Sequence, residues 1–148
     1  MKGNLTLVKY QEGDALKFKH KEIFSGDPTL IERIEKLSKE KTNLCYTMYD
    51  KSGPIAILGC SFIFPCVCDL WSILSDRIKI YPKEFCKLIR EFLAKGEKLH
   101  GIYRYQMVTR AQNPELVKWA QFLGMKCEGL MHKFGPDKSD FLLFARVS

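Results

Sequence analysis

The sequence lacks any apolar run that approaches the roughly 20 residues a bilayer span requires. Its first residues, MKGNLTLVKYQEGD, also lack the apolar core of a secretory signal peptide. No internal repeat, low-complexity tract or linker divides the 148 residues, and 46% of them are hydrophobic. These features predict one packed domain over residues 1–148, without a membrane span and located in the cytoplasm.

No C-x-x-C pair occurs, although there are six cysteines, at positions 45, 60, 66, 68, 86 and 127. They sit inside apolar stretches, which is typical of reduced core thiols in a reducing compartment. Cys66 and Cys68 would point to the same side of a predicted strand. A metal site needs two further ligands, and the three histidines are scattered singly, so no metal is expected.

The charge is strongly positive, with a formal +7 and a pI near 9.1. Such a balance suits contact with nucleic acid or another anionic partner, and residues 17–21, KFKHK, are the densest basic cluster. In ERIEKLSKEK, however, lysines alternate with glutamates as on a solvated helix face. No basic strip is interleaved with aromatic residues, so direct nucleic-acid recognition is disfavoured.

Alternating and helical apolar patterns predict the order β-α-α-β-β-β-α-β-α-β-β. The predicted strands cover residues 5–10, 43–50, 54–64, 66–75, 101–111, 125–133 and 141–147. The predicted helices are a weak one over 13–24, one opened by Asp27 and Pro28, the longest from Pro82 to Gly96, and one from Asn113 to Gly124.

The segment NPELVKWAQFLGMKCEG, residues 113–129, contains the clearest signals for the beginning and the end of a helix. Asn113 can cap the first helical turn, and Pro114 suits the first helical position because no partner is needed there for its missing N–H. Gly124 supplies a left-handed residue that ends the helix. A strand, the turn GPDKSD and a second strand follow, which predicts a C-terminal hairpin.

This order of elements resembles the GNAT N-acetyltransferase superfamily over nearly the whole chain. The superfamily has N-x-x-A-x-x-x-Y-x-x-x-G-F near its C-terminus, and Asn113, Gly124 and Met125 match the asparagine, glycine and phenylalanine positions. More narrowly, residues 70–92 and 113–147 are similar to small GNAT-like proteins of short-tailed phages, of the internal virion protein A type. The resemblance implies an α/β fold with a mixed twisted sheet of about seven strands and helices on both faces. It also implies that strands 66–74 and 102–110 are parallel and diverge around a ligand cleft.

The implied chemistry is acyl transfer from acetyl-CoA, as cosubstrate, to an amine. Active members hold the pyrophosphate in a Q/R-x-x-G-x-G/A loop, whereas SDRIKIYPKEF here has no glycine, so the loop is predicted to be degenerate. Apolar side chains of Ile78, Ile80 or Tyr81 are expected to close it partly against Phe85. The cofactor-binding residues implied by the resemblance are Trp71, Ser72, Ile73, Arg77, Lys79 and Asn113.

The catalytic residues are predicted on two strands. Asp69, in the otherwise apolar CVCDLWSIL, matches the carboxylate base of many members, with a structural aspartate as the alternative. The family's tyrosine acid falls at Ala120, which has no hydroxyl. Tyr105 is the candidate substitute, with a packing role as the alternative.

Two functions follow from these residues. The first is a phage- or prophage-encoded N-acetyltransferase with a degenerate pyrophosphate loop. The second is a non-catalytic phage protein that uses the fold for virion assembly or for binding a phage or host protein, in the host cytoplasm or the virion. The sequence predicts no oligomeric state.

Overall fold

The computed structural model describes residues 3–18, 30–40 and 43–148, with residues 30 and 31 described in their backbone only. The strands are β1 (Thr6–Lys9), β2 (Leu44–Asp50), β3 (Gly53–Phe64), β4 (Val67–Leu74), β5 (Arg104–Arg110), β6 (Lys126–Met131) and β7 (Phe141–Val147). The α-helices are α1 (Leu30–Ser38), α2 (Pro82–His100) and α3 (Pro114–Phe122), and two 3₁₀ helices cover Asp14–Lys17 and Asp76–Ile80.

The strands form one mixed sheet in the order β1-β2-β3-β4-β5-β7-β6. The β4–β5 pair is parallel, whereas the β1–β2, β2–β3, β5–β7 and β6–β7 pairs are antiparallel. The predicted fold class, an α/β protein with a mixed sheet of about seven strands, is confirmed. The divergence of β4 and β5 stays a prediction.

Two compact units make up the chain. The first contains Met1–Phe62 with Leu70–Leu88, and the second contains Ile63–Asp69 with Ile89–Ser148. Strands β3 and β4 and helix α2 each contribute residues to both units. A single domain over residues 1–148 stays a prediction.

The core of the first unit forms where α1 and a 3₁₀ helix pack on the strands. Its buried residues are Ala15, Phe18, Ile34, Cys45, Ile57 and Ile73, with Tyr10 and Trp71 packed against them. The predicted β2–β3 hairpin is confirmed, with Gly53 at φ 132° beside the turn. A glycine suits this position because other residues rarely adopt positive φ.

The weak helix predicted over 13–24 is only partly present. A 3₁₀ helix covers Asp14–Lys17 and ends at Phe18, whose backbone is extended. The Asp14 carboxylate is buried and accepts hydrogen bonds from the Gln11 N–H, at 2.9 Å, and the Thr47 hydroxyl, at 2.8 Å. A side chain that binds a nearby backbone N–H in this way competes with helical hydrogen bonds, so it favours a tight turn over a regular helix. The remainder of the prediction, and the Asp27–Pro28 helix start, lie outside the described residues.

In the second unit, α3 begins and ends as the sequence predicts. The Asn113 side chain accepts a hydrogen bond from the Leu116 N–H, and Pro114 is the first helical residue. Gly124 has φ 81° and donates to the Gln121 carbonyl, while the Met125 N–H reaches the Ala120 carbonyl. These two bonds are the Schellman pattern that ends a helix at a left-handed glycine. The predicted hairpin of β6 and β7 is also confirmed.

The predicted end of α2 at Gly96 is wrong. The helix continues to His100, and the left-handed residue that follows it is Gly101, at φ 64°. Gly96 is needed for space, because a Cβ there would lie 2.0 Å from the hydroxyl oxygen of Tyr105. The glycine therefore lets a strand residue approach the helix, and it does not end the helix.

All six cysteines are free thiols. The prediction that Cys66 and Cys68 lie on the same side of one strand is wrong. Cys66 precedes β4 and has φ 69°, and its carbonyl accepts the Tyr103 N–H at 3.0 Å. It therefore belongs to the turn that leads into β4. Among the described residues, no group of three acidic, histidine or cysteine side chains could hold a metal ion.

Within residues 3–18, 30–40 and 43–148, no helix combines the length and the apolar character that crossing a membrane requires.

Candidate functional site

The predicted site residues fall in two groups. The first unit contains Trp71, Ser72, Ile73, Arg77 and Lys79. The second unit contains Asp69, Tyr105 and Asn113.

Asp69 is a half-buried carboxyl group on β4 whose cross-strand partner is Gln106 on β5. Burial raises its pKa above the ordinary value, because a charged carboxylate loses solvation there. A hydrogen bond from the Gln106 side chain opposes this shift by stabilising the carboxylate. A carboxyl group with a raised pKa is a suitable proton acceptor near neutral pH.

A row of polar side chains continues from Gln106 across the second unit. The Nε of Arg104 donates to the Oε1 of Gln106 at 3.0 Å. The two terminal nitrogens of Arg104 donate to the two carboxylate oxygens of Glu128 at 3.1 and 2.6 Å, which is a bidentate arrangement that fixes the orientation of the guanidinium group. Glu128, Arg104 and Gln106 thus form a hydrogen-bonded row whose last member, Gln106, is the cross-strand partner of Asp69.

Tyr105 lies on the opposite face of the sheet from Asp69. Its cross-strand partner is Cys68, and successive residues of a strand alternate in direction. The side chain is fully buried, and its hydroxyl donates to the Leu93 carbonyl at 2.9 Å in the space left by Gly96. The structure therefore does not bring the two catalytic candidates together, and the catalytic role of Tyr105 stays a prediction.

Asn113 caps α3 at the edge of a cavity of about 260 Å³. The cavity is lined by Arg110, Gln112, Asn113, Pro114, Ser139 and Asp140. The Arg110 guanidinium is held at 2.8 Å from the Asp137 carboxylate and 2.9 Å from the Ser139 hydroxyl. The Ser139 hydroxyl in turn donates to the Asp137 carboxylate at 2.6 Å, and this bond, followed by the one from Arg110, holds the pKa of Asp137 well below its ordinary value. The side-chain oxygen of Asn113 is already used by the cap, and its predicted cofactor role stays a prediction.

In the first unit, the β4 residues Trp71, Ser72 and Ile73 differ in their exposure. Ile73 is fully buried in the core, whereas Ser72 and Trp71 are half-buried. The indole N–H of Trp71 donates to the Ser61 hydroxyl at 2.9 Å, and its ring lies over Gly59, where a Cβ would come within 2.1 Å. A ligand contact by the Ile73 side chain would require a rearranged core.

Arg77 follows β4 and is bound inside the first unit. Its guanidinium donates to the Asp50 carboxylate at 3.1 Å and to the Pro54 carbonyl at 2.8 Å. The Asp50 side chain is only 3% exposed and also accepts from the Tyr81 hydroxyl at 3.3 Å. Lys79, by contrast, is exposed, with Nζ 3.7 Å from the Asp76 carboxylate.

The three apolar residues predicted to close the loop after Ser75 differ in position. Ile78 is fully buried, Tyr81 is half-buried, and Ile80 is 65% exposed, so Ile80 does not fill the loop. The backbone N–H of Arg77 is taken by the Ser75 hydroxyl, and the N–H of Ile78 by the Ser75 carbonyl. The loop therefore uses these two donors for its own 3₁₀ helix.

Comparison with solved structures identifies the fold. A ribosomal-protein-S5-alanine acetyltransferase from Vibrio fischeri has a TM-score of 0.76 at 11% identity, with 99% of this chain and 94% of that chain covered. A mutant spermidine N-acetyltransferase from Vibrio cholerae has a TM-score of 0.73 at 14% identity, with 97% and 94% covered. The chain therefore has the fold class of N-acetyltransferases. More specifically, the fold is GNAT-like. No protein-family model and no curated protein matches the sequence.

Sequence reasoning missed four residues of these two sites. Gln106, Arg104 and Glu128 form the chain beside Asp69, and Asp50 binds Arg77. The only local signal was the presence of polar residues in strand patterns. Their partners depend on strand register, which the sequence pattern does not specify across non-neighbouring segments.

Proposed function

We propose that the protein is an acetyl-CoA-dependent N-acetyltransferase in which Asp69 is the general base for the acceptor amine. The observation that carries the proposal is the half-buried Asp69 carboxyl group on β4, opposite Gln106 on β5, whose burial raises its pKa. The GNAT-like fold supports it, since the similar structures include acetyltransferases of spermidine and of the ribosomal protein S5 alanine.

Acetyl-CoA would supply the acetyl group as a thioester, with the thiolate as leaving group. The acceptor must be a neutral amine to attack, so a proton has to leave its nitrogen. Asp69 would take that proton, directly or through one water, as a positioned carboxylate can. The raised pKa brings the carboxyl group closer to operating pH, which strengthens it as a base compared with an exposed aspartate.

The residues after β4 fit the cosubstrate only in part. The first turn of a helix leaves backbone N–H groups without partners inside the helix, and α2 begins at Pro82. Lys79 and Lys83 are exposed cations that could pair with the pyrophosphate. Arg77 could do so only after leaving Asp50, and no glycine-rich cradle is present. The degenerate loop is therefore part of the proposal.

The decisive experiment combines binding and turnover. Acetyl-CoA at 100 times its dissociation constant should raise the free energy of unfolding by about 2.7 kcal/mol. Spermidine and a peptide with N-terminal alanine serve as acceptors, and mass spectrometry of the acetylated product avoids interference from the protein's own thiols. The proposal would be refuted if millimolar acetyl-CoA neither stabilised the protein nor gave any acetylated product.

The catalytic variant is Asp69→Asn, which keeps the size of the side chain and removes the base. It should lower kcat about 10²- to 10⁴-fold and leave the acetyl-CoA stabilisation intact. The matched control is Glu91→Gln, a similar loss of one carboxylate at an exposed position of α2. Equal kcat values for Asp69→Asn and wild type would exclude the role of Asp69.

A second candidate is a non-catalytic protein that retains the fold and binds a phage or host protein, in the host cytoplasm or a virion. Two features of the loop after Ser75 favour it. Ile78 is buried, and the Arg77 guanidinium is paired with Asp50, so neither side chain is available to a cosubstrate. Its phage association rests on the sequence resemblance of residues 70–92 and 113–147, and none of the comparisons supports that association. Acetyl-CoA should then leave the unfolding transition unchanged.

A further inference from the structure

A connected row of polar side chains leads to Asp69 in the second unit. Glu128 on β6 binds Arg104 on β5 through both carboxylate oxygens. Arg104 in turn donates from Nε to the Gln106 oxygen at 3.0 Å, and Gln106 on β5 is the cross-strand partner of Asp69 on β4. Each group in the row has a defined role as donor or acceptor.

The order of donors fixes how the Gln106 amide is turned. The Nε of arginine can only donate, so the group facing it must be the amide oxygen of Gln106. The amide NH₂ is then on the side of Asp69, where it can only donate. The bidentate contact with Glu128 prevents the guanidinium plane from rotating, and so holds the Nε–H in place.

We propose that Gln106 is a positioning residue for Asp69, and that Arg104 and Glu128 lock its amide in the orientation that donates to the Asp69 carboxylate. This inference rests on the proposed function, in which Asp69 is the base. One carboxylate oxygen is held by the amide, which leaves the other available to the proton of the acceptor amine. The arrangement supplies a directed base from residues on β4, β5 and β6.

The charged groups around this row are few within the second unit. Arg104 and Glu128 neutralise each other, and the exposed Lys126 on β6 lies in the same cross-strand row, beyond Ala145 and Gln106. Arg146 on β7 is opposite Tyr105 and pairs with Glu97 at 2.8 Å, on the other face. Gln106 is therefore the uncharged polar residue that lies directly across from Asp69 in this row.

The test follows the Asp69 carboxyl carbon by NMR titration in the whole protein without cosubstrate. Gln106→Leu removes the donor and should raise the measured pKa of Asp69 by about 1 to 2 pH units. Gln106→Glu keeps an oxygen for Arg104 but replaces the donor with a carboxylate, so the rise should be larger. Arg104→Lys keeps the charge but loses the planar fork, and should raise the pKa less than Gln106→Leu does.

The matched control is Gln121→Leu, the same substitution at an exposed position of α3, which should leave the Asp69 titration unchanged. Gln106→Glu is nearly isosteric with the native residue and carries the test if Gln106→Leu does not fold. A titration of Asp69 that is the same in wild type, Gln106→Leu and Gln106→Glu would overturn the inference.

Turnover separates this inference from the proposed function. In an active enzyme, the acidic limb of the kcat/KM profile should move upwards by the same 1 to 2 pH units in Gln106→Leu, with KM for acetyl-CoA unchanged. If the expected NMR shifts occur in a protein that transfers no acetyl group, the positioning of Asp69 is supported. The proposed enzymatic function is then refuted.

Discussion

At the scale of single residues, two arginines illustrate how burial changes the value of an ion pair. Arg104 binds Glu128, whose side chain is 41% exposed, whereas Arg77 binds Asp50, whose side chain is 3% exposed. Exposed pairs contribute little because water and salt screen them, but a buried carboxylate depends on its partner. The Arg77–Asp50 pair is therefore the more important of the two for stability.

Asp50→Asn tests this pair. The substitution removes the charge that holds the guanidinium of Arg77 and weakens the hydrogen bond from Tyr81, so we expect a loss of about 1.5–3 kcal/mol in the free energy of unfolding. Urea denaturation measures it. Asp76→Asn is the control, because its partner Lys79 is exposed and 3.7 Å away. Equal stabilities of both variants would contradict the assignment.

The same variant bears on the cosubstrate. Releasing Arg77 from Asp50 makes a guanidinium available for a phosphate group, so under the proposed function Asp50→Asn should bind acetyl-CoA more tightly despite its lower stability. Isothermal titration calorimetry at two salt concentrations measures this. An unchanged dissociation constant would mean that Arg77 has only a structural role.

Asp69 gives a dependence of stability on pH. Its pKa in the folded protein is raised above 3.8, so the folded state holds this proton to higher pH than the unfolded state. Its stabilising contribution is complete below about pH 3.8 and is lost as the pH rises through the folded-state pKa. Relative to Asp69→Asn, the wild type should therefore become less stable as the pH rises from below 3.8 through the folded-state pKa of Asp69.

Guanidinium denaturation at several pH values checks this difference. Glu128 and Asp137 have lowered pKa values and produce the opposite slope, but both proteins contain them, so their effect cancels. A constant difference between wild type and Asp69→Asn across this range would be inconsistent with a raised pKa.

At the scale of elements, α2 depends on a glycine that helix propensity disfavours. Alanine is preferred to glycine in a helix by about 1 kcal/mol, yet Gly96 lies inside α2 and faces Tyr105. The close approach connects α2 to β5 through the hydrogen bond from Tyr105 to the Leu93 carbonyl. Packing between the two elements therefore outweighs the intrinsic preference of the helix.

Gly96→Ala should destabilise the protein by about 1–3 kcal/mol, because the new methyl group overlaps the Tyr105 hydroxyl. In a Tyr105→Phe background the nearest ring atom is 3.3 Å away, so the same substitution should cost less. A double-mutant cycle measured by urea denaturation gives the coupling. Gly129→Ala is the control, since no atom lies within 4 Å of its added Cβ. Additive effects of the two substitutions would refute the steric account.

At the scale of the whole molecule, the six thiols differ in their environment. Cys127 is exposed, Cys66 and Cys86 are half-buried, and Cys45, Cys60 and Cys68 are buried. Burial raises the pKa of the Cys45 thiol to about 12, with the charges of Asp14 and Glu35 adding to it. Because the thiolate is the reactive form, such a thiol is unreactive in the native state.

Alkylation by N-ethylmaleimide, followed by peptide mass spectrometry, should therefore label Cys127 first. Labelling of Cys45, Cys60 and Cys68 should occur only as fast as the protein opens, and a moderate concentration of urea should accelerate it. Reductant should leave the unfolding midpoint unchanged. Rapid native labelling of Cys45 would contradict the burial of the first unit's core.

The sequence by itself determined most of the elements. Asn113, Pro114 and Gly124 define both ends of α3, because capping and left-handed backbone are properties of a few adjacent residues. The hairpins β2–β3 and β6–β7 follow for the same reason, as their strands are close in the chain. The resemblance of this order of elements to the GNAT superfamily also indicated the fold class, since the order of elements restricts the possible topologies.

Only the tertiary structure decided which residues meet. Gly96 has the local signature of a helix end, but the distant Tyr105 makes it an interior contact. Asp69 acquires Gln106 as its partner through the register of two parallel strands, and Arg77 acquires Asp50 from a hairpin earlier in the chain. Such contacts depend on packing between segments far apart in sequence, whereas periodicity and capping report only on interactions within a few turns or one hairpin.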